Sequence, residues 1–84
     1  MKIESYSVFS EIENTKLRIW NCAVTASNIN QDHGEEYAKE YLEQFSQEDQ
    51  QRMFTMLLMI KKNGREAVKA EVNRQVMPEV AAND

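Results

Sequence analysis

The sequence predicts an all-α fold, a single small domain of about four helices, and three observations carry that expectation. Apolar residues recur at helical spacing along most of the chain. Strong backbone punctuation is confined to Gly34, Gly64 and Pro78, each between periodic stretches. Residues that start and stop helices flank the most apolar stretch, Ser46 before it and Lys61-Lys62-Asn63-Gly64 after it.

The N-terminal third admits two readings. A helix over residues 8–27 places Val8, Phe9, Ile12, Ile19, Trp20 and Ala23 on one side, with Lys16 as a blemish within it. The alternative is a β-hairpin of residues 3–12 and 17–26 turning at 13–16, followed by three helices in an α+β fold. Its alternation is poor and its turn lacks glycine, so the helix is preferred. Residues 27–31 read as a loop in either case.

The second helix is expected over residues 33–45. Tyr37, Ala38, Tyr41, Leu42 and Phe45 share one face, and Asp32 with Glu35 three residues later has the form of a capping box. His33 is read as a surface residue at this helix start. The third helix is expected over residues 47–62. Ser46 caps it, and Glu48 and Asp49 sit in its positive first turn. Met53-Phe54-Thr55-Met56-Leu57-Leu58-Met59-Ile60 is apolar at seven of eight positions and covers an arc of roughly 260°. A surface helix needs an apolar arc little wider than about 100°. This helix is therefore read either as the central element of the fold or as one that meets another chain. The fourth helix is expected over residues 65–77, with Val68, Val72 and Val76 four apart and Pro78 as its stop. Residues 79–84 read as a frayed tail. Phe9, Ile12, Trp20, Tyr41, Leu42, Phe45, Leu57 and Val72 are the expected core.

A hydrophobic fraction of 42% and a charged fraction of 29% indicate a globular chain rather than a disordered one. The single cysteine, Cys22, excludes an intrachain disulfide, and no apolar run is long enough to cross a bilayer. These features, with an N-terminus unlike a signal peptide, point to a soluble cytoplasmic protein. The net charge of −4 is unevenly spread. Residues 1–51 hold ten acids against four bases, whereas residues 52–84 hold six bases against four acids. Such polarity orients a protein on a partner or on its own copy.

No catalytic constellation is visible. Cys22 sits among apolar neighbours, as an inert buried cysteine does, and His33 has only Glu36 at a ligand-like spacing. The acidic pairs Glu35/Glu36 and Glu48/Asp49 are explained by helix starts. No catalytic residue, metal site or cofactor is assigned, and an enzyme is not expected. The leading expectation is a non-catalytic interaction module, a regulator, adaptor or inhibitor of a larger protein, of the compact bacterial or phage type. It is expected to be a homodimer, with Arg52, Met53, Met56, Met59 and Lys62 as the partner-binding set. The second expectation is a DNA- or RNA-associated regulator using Lys61, Lys62, Arg65, Lys69 and Arg74. A helix-turn-helix register with Gly64 in the turn fails, because Asn63, Arg65 and Asn73 fall where apolar side chains are required. The third is an acidic mimic of nucleic acid, from the seven acids between Asp32 and Asp49.

Overall fold

A computed structural model of the chain describes residues 6–76, and among these there are four helices and no strand. They are α1 (Thr15–His33), α2 (Glu35–Leu42), α3 (Gln47–Asn63) and α4 (Arg65–Val76). The all-α class stands, and the hairpin alternative is not needed. Residues 79–84, expected to fray, lie outside the described residues, as does the expected end of the fourth helix at Met77.

The first helix is displaced from its expected bounds of 8–27. Asn14 starts it by accepting a hydrogen bond from the Leu17 backbone N–H at 3.1 Å. The helix then runs through residues 27–31, which the sequence marks as a loop. Two tertiary effects override the loop-forming tendency of Ser27, Asn28 and Asn30. Arg65 donates to Ser27 Oγ at 3.0 Å and to Asn28 Oδ1 at 2.8 Å, and Ile29 is fully buried. The buried stripe is Ile19, Cys22, Ala23, Ala26 and Ile29, a helical spacing of mostly small residues.

Gly34 closes α1. Its φ of 104° and ψ of 169° belong to a region that only glycine adopts readily, and its N–H reaches the carbonyls of Ile29 and Asn30. Asp32 and His33 therefore end α1 instead of starting α2. The N-cap position of α2 is Gly34, with no side-chain cap, so the expected capping box does not form. α2 ends at Leu42, three residues earlier than expected, and Phe45 lies in the connection.

Two contacts set the topology. Arg18 near the start of α1 pairs with Asp49 near the start of α3 at 3.0 Å, while Arg65 just beyond α3 reaches Ser27 and Asn28 late in α1. α1 and α3 thus run in the same direction, and the single-residue joints at Gly34 and Gly64 send α2 and α4 back antiparallel to them. The result is an up-down-up-down arrangement. α1, not the Met-rich α3, is the central helix, because α2, α3 and α4 all pack against it. Its Cys22, Ala23 and Ala26 are buried and small, which lets neighbouring helices come close. The short connections predict that α2, α3 and α4 are sequential neighbours in space, but α2 and α3 make little mutual contact.

Residues 6–14 form a strap across α1 and α2. The Tyr41 hydroxyl donates to the Ser7 carbonyl at 2.6 Å, and Cys22 Sγ donates to the Val8 carbonyl at 3.2 Å. Tyr6 Oη lies 3.1 Å from His33 Nε2. The strap turns at Phe9, whose φ of 56° is unusual for a bulky residue. Of the expected core, Trp20, Tyr41, Leu42 and Val72 are buried. Phe9, Ile12, Phe45 and Leu57 are half-buried at its margin.

Candidate functional site

α3 is the element whose apolar content exceeds what the fold covers. Ser46 starts it by accepting from the Asp49 N–H at 3.2 Å, and Gly64, with φ of 91°, ends it. Met53 is fully buried and Met56 is 8% exposed, so both are core side chains in this structure. Leu57 and Ile60 are half-buried. Among the described residues, the large apolar side chains left exposed are Phe54 at 49%, Leu58 at 67% and Met59 at 38%, and all three belong to α3. They divide between two surfaces. Phe54 and Leu58 are one turn apart on the outward ridge, while Met59 points to the α4 side.

On that side lies an open groove of about 770 Å³ between the start of α1, α3 and α4. Ile19, Met56, Met59, Val68 and Val72 form its apolar lining. Its polar lining comes from all three helices and includes Lys16, Arg52 and Glu71. A smaller depression of about 500 Å³ lies between α2 and α3, lined by Ala38, Leu42 and Phe54 together with the polar Asn30, Glu35 and Lys39.

Side-chain pairing fixes two rim residues of the groove, Arg52 through Asp49 behind it and Glu71 on α4. Asp49 accepts from Arg18 at 3.0 Å and from Arg52 at 2.6 Å. Burial pushes the Asp49 carboxyl up, but the hydrogen bonds and charges of Arg52 and Arg18 outweigh it and hold the group below its ordinary value. On α4, Glu71 accepts from Gln75 at 2.8 Å and from Arg74, and these bonds hold its carboxyl low. Lys16 bonds Gln75 and so ties the start of α1 to the end of α4 across the lower mouth of the groove.

The expected partner-binding set is therefore split. Arg52 and Met59 are exposed on the groove, Met56 floors it, Met53 lies beneath it, and Lys62 is exposed beyond it near the end of α3. The five cations of the nucleic-acid alternative are split as well. Arg65 is engaged with Ser27 and Asn28, and Arg74 with Glu71, while Lys61, Lys62 and Lys69 are exposed. Phe54 and Leu58 were legible only as flanks of the apolar stripe. Ile19 and Val68 were legible as apolar-face residues but not as groove lining, and Glu71 had no signal, because their chain segments meet only in the folded bundle.

Cys22 and His33 are eleven residues apart on one straight helix, about 16 Å along its axis, too far for a nucleophile–base pair. The Cys22 thiol is fully buried, and burial raises its pKa. Among the described residues, no three His, Cys, Asp or Glu side chains gather where they would hold a metal ion. No helix among them is long and apolar enough to cross a membrane. Compared with known proteins, the chain matches no family model, no curated protein and no solved structure.

Proposed function

We propose that the protein acts by binding rather than by chemistry, as a small module that captures an amphipathic helix of a larger protein in the groove between α1, α3 and α4. The observation that carries this reading is the open groove lined by Ile19, Met56, Met59, Val68 and Val72. Its methionines are flexible and polarisable, which suits a surface that must mould itself to a partner. From Glu48 to Met59 the groove follows α3 over twelve residues, about 16 Å end to end, the length of roughly three helical turns. The occupant is therefore a segment of about eleven residues with apolar side chains at i, i+3 or i+4, and i+7. The rim carries both signs of charge, and its Glu48 and Glu71 carboxylates are already paired with Arg52 and Arg74, so the apolar floor supplies affinity and the rim supplies register. A small-molecule site fits less well. It needs polar groups converging inside the cavity, and here the charged groups stand at the rim. The role that follows is that of a regulator, adaptor or inhibitor. A single buried cysteine suits a reducing cytoplasm.

The test is methyl NMR of the methionines during titration with amphipathic helical peptides of about eleven residues, net basic and net acidic. Binding in the groove shifts Met56 and Met59 and leaves Met53 still, and Met59→Glu abolishes the shifts. Shifts spread evenly over the surface, or binding that survives Met59→Glu, would refute the reading.

A further inference from the structure

We infer that the outward ridge of α3, formed by Phe54 and Leu58, is the surface on which a second copy of this chain docks, antiparallel, with Phe54 of each copy against Leu58 of the other. The ridge adjoins the groove, which lies on the α4 side of the same helix and shares Glu48 and Gln51 with it, but the apolar pair itself is not part of the groove's lining. Phe54 and Leu58 are the two most exposed large apolar side chains of the described residues, and both belong to the same face. Gln47, Gln51 and Lys61 extend that face along the helix, so the apolar pair is a central patch with a polar margin, the layout of an interface core and rim. Beside Phe54 is the depression bordered by Ala38 and Leu42. It gives the Leu58 side chain of the second copy a recess to enter.

Charge selects the occupant and its direction. The first turn of α3 is acidic, with Glu48 exposed, and its last turn is basic, with Lys61 and Lys62 exposed. A parallel pair would bring the two acidic ends level with each other and the two basic ends level with each other, with no opposite charges to pair. In an antiparallel pair with its two-fold axis midway between Phe54 and Leu58, Glu48 lies about 12 Å from the axis and Lys62 of the other copy about 9 Å from it on the same side. Both occupy the same flank of the ridge, so the two are within side-chain reach. The helix dipoles also oppose. The contact is isologous and closes as a dimer, which uses the exposed apolar pair twice and leaves no open end.

Sedimentation velocity of the full chain from about 10 to about 300 µM tests this, since an interface this small is expected to dissociate in that range. The expected result is a mass rising from 9.8 kDa toward twice that value. Leu58→Glu removes the dimer at every concentration while the far-UV circular dichroism stays unchanged, because the side chain is already largely in water. Lys62→Glu and Glu48→Lys each weaken association about 3–10-fold, and the two together in one chain restore it. A monomer throughout the range, a Leu58→Glu variant that dimerises as tightly as the parent, or a double variant no tighter than either single one would overturn the inference. Met59→Glu, which tests the groove, is expected to leave the dimer intact, so failure of one reading is distinguishable from failure of the other.

Discussion

Truncating Met53 and Met59 to alanine separates the structural part of α3 from the part available to a partner. Both are methionines on the same helix, six residues apart, and they differ in what covers them: Met53 is fully buried and Met59 is 38% exposed. Removing a buried methionine side chain costs about 2–5 kcal/mol, part from lost transfer energy and part from the cavity left behind. Met53 lies within the core, so about 3 kcal/mol is expected for Met53→Ala. At Met59 only about three-fifths of the side chain is covered, and the groove is open to water, so no closed cavity forms. The expected cost is about 1 kcal/mol. A domain of this size is stable by about 4–12 kcal/mol in all, so the first change is severe and the second is minor. Urea unfolding followed by Trp20 fluorescence and circular dichroism measures both. With a slope near 1 kcal/mol per molar, the midpoint falls by about 2–3 M for Met53→Ala and by about 1 M or less for Met59→Ala. Equal shifts for the two would refute the division of α3 into a covered and an uncovered side.

Stability is expected to fall at both ends of the pH range. The Asp49 carboxyl is depressed in the folded protein, so its contribution is complete above the unfolded carboxylate value and is lost as pH falls through the folded one; acid unfolding should begin below about pH 4 and should be blunted in Asp49→Asn. The Cys22 thiol and the Tyr41 hydroxyl are both raised by burial, so stability is complete below their unfolded values and declines as pH rises above about 9; thermal melts from pH 7 to 11 read this, and Cys22 should react with a thiol reagent only as fast as the bundle opens. Alanine at Gly34 is expected to cost about 1–2 kcal/mol by chemical denaturation although no atom obstructs its side chain, because the backbone there has φ of 104°; a neutral result would mean that the α1–α2 joint relaxes. On a DNA column at ~0.1 M salt the protein is expected to flow through, since Arg65 is held by Ser27 and Asn28, Arg74 is neutralised by Glu71 on its own helix, and the net charge is −4; retention lost by ~0.3 M would favour the nucleic-acid reading.

The legible parts of the fold are those decided by local chemistry. Ser46 and Gly64 bracket α3 within one residue of its expected bounds, because a side-chain cap and a left-handed glycine act over three or four residues. The valine spacing of α4 likewise sends Val68 and Val72 into the core. The first helix was misplaced for the opposite reason. Its buried stripe is built on Cys22, Ala23 and Ala26, small side chains that carry little apolar signal, and the aromatic and β-branched residues of the strap, Val8 and Phe9, drew the pattern toward the N-terminus. Asp32 and Glu35 have the spacing of a capping box, but the chain reverses at Gly34 between them.

Composition and periodicity determined by themselves that this chain makes helices, where most of them stop, and that one helix carries more apolar surface than a single contact absorbs. They could not rank the helices. α1 is central because its small face admits three neighbours at close range, and that depends on which helices come back to meet it. Nor could they tell Met53 from Met59, or Leu57 from Leu58. Each pair has the same chemistry at neighbouring positions of one pattern, and burial is a property of the space around a side chain. Only the docking of α3 and α4 on α1 separated the methionines that hold the fold from the Phe54, Leu58 and Met59 side chains left facing outward.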